Sequence, residues 1–205
     1  PAPRRSLEKP PPHRPLQPFQ PRWLRPRAPQ GGRTTRSRPH PLTVQTIPAD
    51  SFPARDEASL VAFLEHCREE ARANGSPRFA SITIATDYVD PLAVLEAIRE
   101  DGNSLWFVER PSEEFALACG EATTYAEFSG PERFAEAKRF ATDIFSRTIA
   151  TGDLAPSGAG PTFILSATFE ESGCDGDHPS PLTLFLPCWQ VLRRGGRHYA
   201  VANAE

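Results

Sequence analysis

Methionine and lysine are the residues that this sequence lacks most. Its 205 residues contain no methionine and only two lysines, Lys9 and Lys138, among 23 basic residues. A mechanism that needs a lysine base on a β-strand therefore has no candidate in the chain. Because no methionine stands at the start, we expect either a piece of a longer protein or a chain that begins upstream of the natural start.

Long apolar runs and paired cysteines are also missing. No run approaches the ~18 residues that cross a membrane, so we predict a soluble, cytoplasmic protein with no membrane partner. The cysteines, Cys67, Cys119, Cys174 and Cys188, lack C-x-x-C spacing, and reduced thiols are expected. Cys174 and His178 could ligate a metal, but a structural zinc site needs four ligands and no second pair is near, which favours a solvated loop.

The chain carries none of the strong catalytic signatures, such as a G-x-S-x-G elbow, a phosphate-binding glycine loop or an H-E-x-x-H helix. Glu109, Glu113 and Glu114 are candidate general acids or bases. Acid–base catalysis also needs a partner in a cleft, so we predict that these carboxylates face solvent. His66 lies beside Cys67 in a helical pattern and is predicted to be non-catalytic.

Proline and arginine are concentrated at the start. Residues 1–42 hold 12 of the 23 prolines and 10 basic residues against one acid, a net charge of +9, while the remainder has −12. Proline excludes helices and central strands, so we predict a disordered or artefactual tail ahead of a folded domain at 43–205. A proline-rich ligand for an SH3-type domain is an alternative. The acidic remainder argues against a nucleic-acid partner.

Hydrophobic periodicity over the remainder predicts an α+β fold with a largely antiparallel sheet flanked by helices. Three helices are expected. The first runs from about Asp56 to Gly75, the second is N-capped by Asp90, and the third follows Pro131 and has a buried side that reaches Thr148, with Gly152 at its end. Strands are predicted at 79–86, 105–109, 115–119, 123–128, 162–169, 182–186, 189–194 and 198–203.

The Gly195-Gly196 pair predicts a two-residue hairpin turn. Arg193, Arg194 and Arg197 flank it. The three arginines could attract an anion, although a solvated hairpin tip explains them without any ligand.

Four segments resemble chorismate-utilising enzymes, and most closely isochorismate synthase of the menaquinone type. They are LWFVERPSEEFALACGEA, RFAEAKRFATDIF, GPTFILSATFEE and FLPCWQVLRRGGRHYAVAN. The resemblance covers roughly Thr43 to Glu205 and implies the N-terminal half of the chorismate-binding fold. The sequence departs from the family at Cys119 and Glu121, where relatives often have glycine, so the strand there is expected to pack differently.

The resemblance implies the Mg2+-dependent conversion of chorismate to isochorismate, in a menaquinone or siderophore pathway. A base activates water for addition to one ring carbon, while an acid assists departure of the hydroxyl from another. The family's lysine base, glutamate acid and magnesium ligands are expected after Glu205. No catalytic, cofactor-binding or metal-binding residue is therefore assigned in this chain, and we expect the 205 residues alone to be inactive.

Two alternatives remain open. Within the same superfamily, the chain could belong to the first component of an anthranilate or aminodeoxychorismate synthase. Outside it, the folded part could be a non-catalytic regulatory or binding module.

Overall fold

The computed structural model describes residues 44–47, 56–99, 105–155, 157–170 and 180–205. All of these lie in one compact unit, Gly31–Glu205. The predicted tail at 1–42 and the Cys174 and His178 pair fall outside the described residues. The boundary between tail and domain stays a prediction.

The described chain forms one eight-stranded sheet with helices packed on it. Its strand order is β1-β5-β2-β8-β7-β4-β3, and β6 pairs with β7. Five of the seven pairings are antiparallel, and only β1 with β5 and β2 with β5 are parallel. The predicted α+β class with a largely antiparallel sheet is confirmed. The strands are β1 (Gln45–Thr46), β2 (Phe79–Thr86), β3 (Leu105–Arg110), β4 (Phe115–Phe128), β5 (Thr148–Gly152), β6 (Ile164–Ala167), β7 (Leu182–Arg194) and β8 (Arg197–Ala204).

Helix α1 (Glu57–Asn74) begins and ends where its capping residues predict. The carboxylate of Asp56 accepts a 2.7 Å hydrogen bond from the Ser59 N–H, which holds the pKa of Asp56 below its usual value. Gly75 closes the helix in the left-handed conformation, with φ +63°, because glycine adopts it without steric penalty. Phe63 and Cys67 are the buried side chains of this helix.

Helix α2 spans Pro91–Ala97. Asp90 caps it as predicted, by accepting a 3.0 Å hydrogen bond from the Leu92 N–H. Leu92 and, just after the helix, Ile98 are exposed. A helix of two turns lying on β3, β4 and β7 buries only part of one side.

The third predicted helix was extended too far. Helix α3 (Arg133–Ser146) stops before Thr148, and the residues up to Gly152 form strand β5. The Arg147 N–H bonds back to Ile144 and ends the helix. The β-branched residues of β5 then pair with β2 on one side and β1 on the other, which compensates for the lost helical hydrogen bonds.

The predicted strands at 115–119 and 123–128 are one continuous strand, β4, which pairs along the whole of β7. A β-bulge shifts the register between Ala122 and Thr124, and Pro187 of β7 lies opposite Ala122. Proline lacks the N–H that a regular ladder uses, so an interruption of the pairing is where it is tolerated. The bulge thus allows β4 and β7 to stay paired on both sides of Pro187.

Both faces of the sheet contribute to the core. On one face, α1 covers a cluster of Phe63, Cys67, Ala80 and Ile149. On the other, α3 covers the cluster of Phe79, Ile144 and Leu186 and that of Ala137, Leu182 and Leu184. None of the described helices has the length and apolar content required to cross a membrane.

Candidate functional site

The two segments that the sequence analysis singled out meet at one end of the sheet. β3 and β4 are joined by the short 3-10 turn Pro111–Glu113, and β7 and β8 by the Gly195-Gly196 turn. The Gly195 N–H donates a 3.2 Å hydrogen bond to the carbonyl oxygen of Glu114. We call this region, from Glu109 to Phe115 and from Arg193 to Arg197, the turn corner.

Glycine at both positions of the β7–β8 turn is explained by backbone geometry. Gly195 and Gly196 have φ values of +55° and +71°. Positive φ at both central residues is the requirement of a type I′ turn, whose twist matches that of the flanking strands. The predicted hairpin is confirmed.

The candidate acids of the turn corner are close to arginines. Glu109 accepts from Nη2 of Arg193 at 2.6 Å, across the intervening strand β4. Glu113 lies 3.6 Å from Nη1 of Arg110, and both side chains are more than half exposed. Ion pairs this exposed contribute about 0–1 kcal/mol to stability. The carboxylates of Glu109 and Glu113 thus pair with neighbouring arginines at a solvent-exposed surface, as expected of a structural turn.

The three hairpin arginines do not converge on one anion. Arg193 is held by Glu109, while the guanidinium of Arg194 lies 5.7 Å from the centre of the Phe115 ring. Arg197 makes no ion pair in the described part of the chain. Arg193 and Arg194 alternate along β7 and lie on opposite faces of the sheet, whereas Arg194 and Arg197 are directly opposite each other in the β7–β8 pair and share a face, so the sequence cluster is divided between the two faces.

An apolar groove of about 630 Å3 lies between α1, α2 and the sheet. Its walls include Leu60 of α1, Val94 of α2 with Ile98 just after it, and Ile84 and Trp189 of the sheet. Glu121 is the one ionisable residue among its described lining residues. A groove with this lining offers no cationic partner to a dicarboxylate such as chorismate.

Glu121 has a backbone conformation that glycine favours. Its φ is +53°, in the left-handed region that non-glycine residues rarely adopt. One residue earlier, a Cβ at Gly120 would lie 2.6 Å from Leu105 Cδ2 and 2.7 Å from Trp189 Cζ2. A glycine at position 121 would therefore adopt this bend without strain.

A polar group buried inside the sheet was missed by the sequence analysis. Ser81, Thr83, Gln190 and Asn203 are buried on the face covered by α3 and the following loop. Gln190, which is 0% exposed, donates from Nε2 to the carbonyl oxygen of Gly160. Buried polar groups normally have partners, so this contact ties the loop to the sheet. Nothing in the local alternation of β7 distinguishes Gln190 from a surface glutamine.

The three described cysteines are free, as predicted. Burial raises the pKa of the Cys67 thiol to about 11 and that of Cys119 to about 12. Cys119 is buried between strands, while Cys188 is half-buried. His66 is half-buried on α1 next to Cys67.

Slow thiol labelling is the expected consequence. In a Cys174→Ser/Cys188→Ser variant at about pH 8, the two remaining thiols should react with an aromatic disulfide reagent roughly a hundredfold more slowly than in urea, because the thiolate is the reacting form. The urea-unfolded variant is the control. Rapid labelling of two thiols in the native protein would contradict the burial of Cys67 and Cys119.

The described residues do not fit a metal ion. None of them forms a group of three or more His, Cys, Asp or Glu side chains that could hold one. Lys138, the single lysine in the described part, is exposed on α3. We therefore assign no metal ligand and no lysine base to the described residues.

Comparison with known proteins places the chain in a family. A family model described as chorismate binding enzyme matches residues 62–205. No curated protein and no solved structure matches the chain. The match covers most of the chain and includes α2, α3 and strands β2 to β8 in full. The chain belongs to the chorismate binding enzyme family.

Proposed function

We propose that this chain provides the scaffold of an isochorismate synthase, with chorismate as substrate and Mg2+ as cofactor. The observation that carries the proposal is the spatial arrangement of the four segments that resemble this enzyme type. They correspond to β3 with β4, to α3, to β6, and to β7 with β8. These elements are direct neighbours, since β7 pairs with β4, β6 and β8, and α3 packs on β4 and β7.

The contact between these segments supports the proposal, because similarities in segments that do not touch could arise independently of one another. Segments separated by up to about 80 residues in the sequence contribute to one packed block, with Leu117, Leu192 and Tyr199 at its centre. A block of this kind imposes joint requirements on its strands, such as small residues under Trp189 and a turn at Pro111–Glu113. The four similar segments therefore belong to one packed unit of the fold.

In this proposal the described residues hold the fold and do not perform proton transfer. The chain has two lysines, of which Lys138 is exposed on a helix. A general base must lie within hydrogen-bond reach of the proton that it removes, in an environment that tunes its pKa. No described lysine meets that requirement.

The purified 205-residue chain should therefore leave chorismate unchanged, with or without Mg2+. Chromatography of chorismate and its products measures this directly, with a known chorismate enzyme as positive control. Conversion above a buffer control would show that these residues contain a catalytic base and would refute the scaffold role.

The reaction type is tested in extracts of cells that naturally make the protein. Extracts from cells with and without its coding sequence receive chorismate, Mg2+ and glutamine, and the products are separated. We expect the loss of isochorismate formation, with the formation of anthranilate and aminodeoxychorismate retained. Selective loss of either aminated product would instead identify an anthranilate or aminodeoxychorismate synthase. Unchanged formation of all three products would favour a non-catalytic module.

A further inference from the structure

The strands of the turn corner place three arginines and one phenylalanine in a row on one face of the sheet. Arg110 of β3 lies directly opposite Phe115 of β4, which in turn lies opposite Arg194 of β7. Arg194 lies opposite Arg197 of β8. Residues directly opposite each other in antiparallel strands have neighbouring side chains on the same face. We call these four residues the arginine row.

Two contacts in the turn corner agree with this assignment of faces. The guanidinium of Arg194 lies over the Phe115 ring, 5.7 Å from its centre. Glu109 and Arg193, each next in sequence to a member of the row, bond to each other at 2.6 Å. Because consecutive residues of a strand point to opposite faces, this ion pair belongs to the face that the arginine row does not occupy.

The arginine row carries positive charge that the described carboxylates do not neutralise. Arg194 and Arg197 form no ion pair with any described residue, although Asp153 lines a pocket together with Arg197. Like charges directly opposite each other on two strands repel. Arg110 lies 3.6 Å from Glu113, and both side chains are more than half exposed, so another anion can replace this weak partner. An anion bound between Arg194 and Arg197 would relieve their repulsion.

The Phe115 ring holds Arg194 in place without using its hydrogen-bond donors. A guanidinium above an aromatic ring is attracted by the face of the ring, while its N–H groups stay available to an anion. The side chain of Arg194 makes no hydrogen bond among the described residues. Arg197, its neighbour across the strands, is exposed to solvent. A side chain that is already positioned loses less entropy when a ligand binds.

The spacing of the row suits a ligand with two linked phosphates. Arg194 and Arg197 have Cβ atoms about 5 Å apart, so both guanidinium groups can hold one phosphate. Arg110 is two strands from Arg194, about 10 Å away at the backbone, and its long side chain can reach a second phosphate above Phe115. The net charge of −12 after residue 42 repels a long polyanion, which favours a small ligand.

We propose that the arginine row binds a diphosphate group, either free or as part of a larger molecule. Arg194 and Arg197 hold one phosphate, Arg110 exchanges Glu113 for the other, and Phe115 positions Arg194. The inference does not depend on the isochorismate synthase assignment, because that assignment gives none of these arginines a ligand.

Pyrophosphate, phosphate and adenosine diphosphate are the probes. The full chain with 15N-labelled arginine is titrated at constant ionic strength, and the arginine Nε–H signals, assigned by substitution, are followed by NMR. We expect the Arg194 and Arg197 signals to shift and saturate with pyrophosphate, with a dissociation constant on the order of 1 mM for so small a ligand. Phosphate should bind several-fold more weakly, because it offers no second group to Arg110.

Adenosine diphosphate distinguishes the two sources of a diphosphate group. Binding tighter than that of pyrophosphate would assign the site to a ring-bearing ligand that also contacts Phe115. Equal or weaker binding would assign it to the diphosphate group alone.

Two variants and a matched control test the assigned roles. Arg197→Gln should weaken the binding of both pyrophosphate and phosphate by roughly tenfold, as followed on the Arg194 signal. Arg110→Gln should leave phosphate binding unchanged and abolish the preference for pyrophosphate. Arg193→Gln removes the same charge from the same hairpin, but its side chain is paired with Glu109 on the opposite face, so binding should be unchanged.

Other results would overturn the proposal. Shifts that do not saturate, or that sodium chloride reproduces at the same ionic strength, show the absence of a site. Equal weakening by Arg197→Gln and Arg193→Gln shows only general attraction to positive charge. A preference for pyrophosphate that survives in Arg110→Gln refutes the contact of Arg110 with a second phosphate.

Discussion

Gly152→Ala should lower the free energy of unfolding by about 4 kcal/mol, which is a large share of the stability of an ordinary domain. Gly152 ends β5 with φ +103°, and a Cβ there would lie 1.8 Å from the carbonyl oxygen of Thr83. That oxygen belongs to the neighbouring strand and accepts from the Asp153 N–H, so it cannot move without breaking the β2–β5 pairing. The midpoint of urea unfolding, followed by circular dichroism, measures the loss.

Gly130→Ala is the matched control for this prediction. Gly130 has φ +82°, but a Cβ there would meet no atom within 4 Å. Its substitution should therefore cost only the backbone strain, about 1–2 kcal/mol. Equal unfolding midpoints for the two variants would mean that the end of β5 does not lie against Thr83 as described.

Leu192→Ala should destabilise the protein by about 3 kcal/mol, because it removes a fully buried side chain and leaves a cavity. Leu192 lies between Leu117 of β4 and Tyr199 of β8, its direct partners in the sheet. All three belong to one buried cluster, against which Ala159 of the covering loop also packs. The cavity would thus lie at the centre of the sheet, where three strands limit relaxation.

Leu165→Ala is the same chemical change on a neighbouring strand. Leu165 in β6 is 46% exposed, so its replacement should cost less than about 1 kcal/mol. Thermal or urea unfolding of both variants gives the comparison. A loss at Leu165 as large as that at Leu192 would show that β6 faces a packed interior, contrary to the described arrangement.

Local chemistry made several elements predictable from the sequence. The α1 helix begins after Asp56 and ends before Gly75, because a carboxylate can accept from the first turn and glycine can adopt the left-handed conformation. The Gly195-Gly196 turn is specified in the same way by two positive φ values. In each case the deciding interaction lies within about four residues of the signal.

Non-local partners explain the predictions that were wrong. Residues 148–152 continue the helical apolar pattern of α3, but pairing with β2 and β1 makes them a strand. Residues 115–128 read as two strands because the bulge interrupts their alternation, and only the continuous partner β7 makes them one. The ion pair of Glu109 with Arg193 joins residues 84 positions apart. No short stretch of the sequence contains both residues, so a local pattern could not predict this ion pair.

The sequence by itself determined the fold class, the helix caps, the hairpin turn and the family resemblance, because these depend on residue type and on neighbours along the chain. The tertiary structure decided which acids pair with which arginines, that Gln190 is buried, and that Glu121 adopts a positive φ. It also decided that Arg193 and Arg194 lie on opposite faces of β7, with Arg193 held by Glu109 and Arg194 near the Phe115 ring. These outcomes depend on strand order and register, which are set by the total burial of the sheet and not by any local pattern.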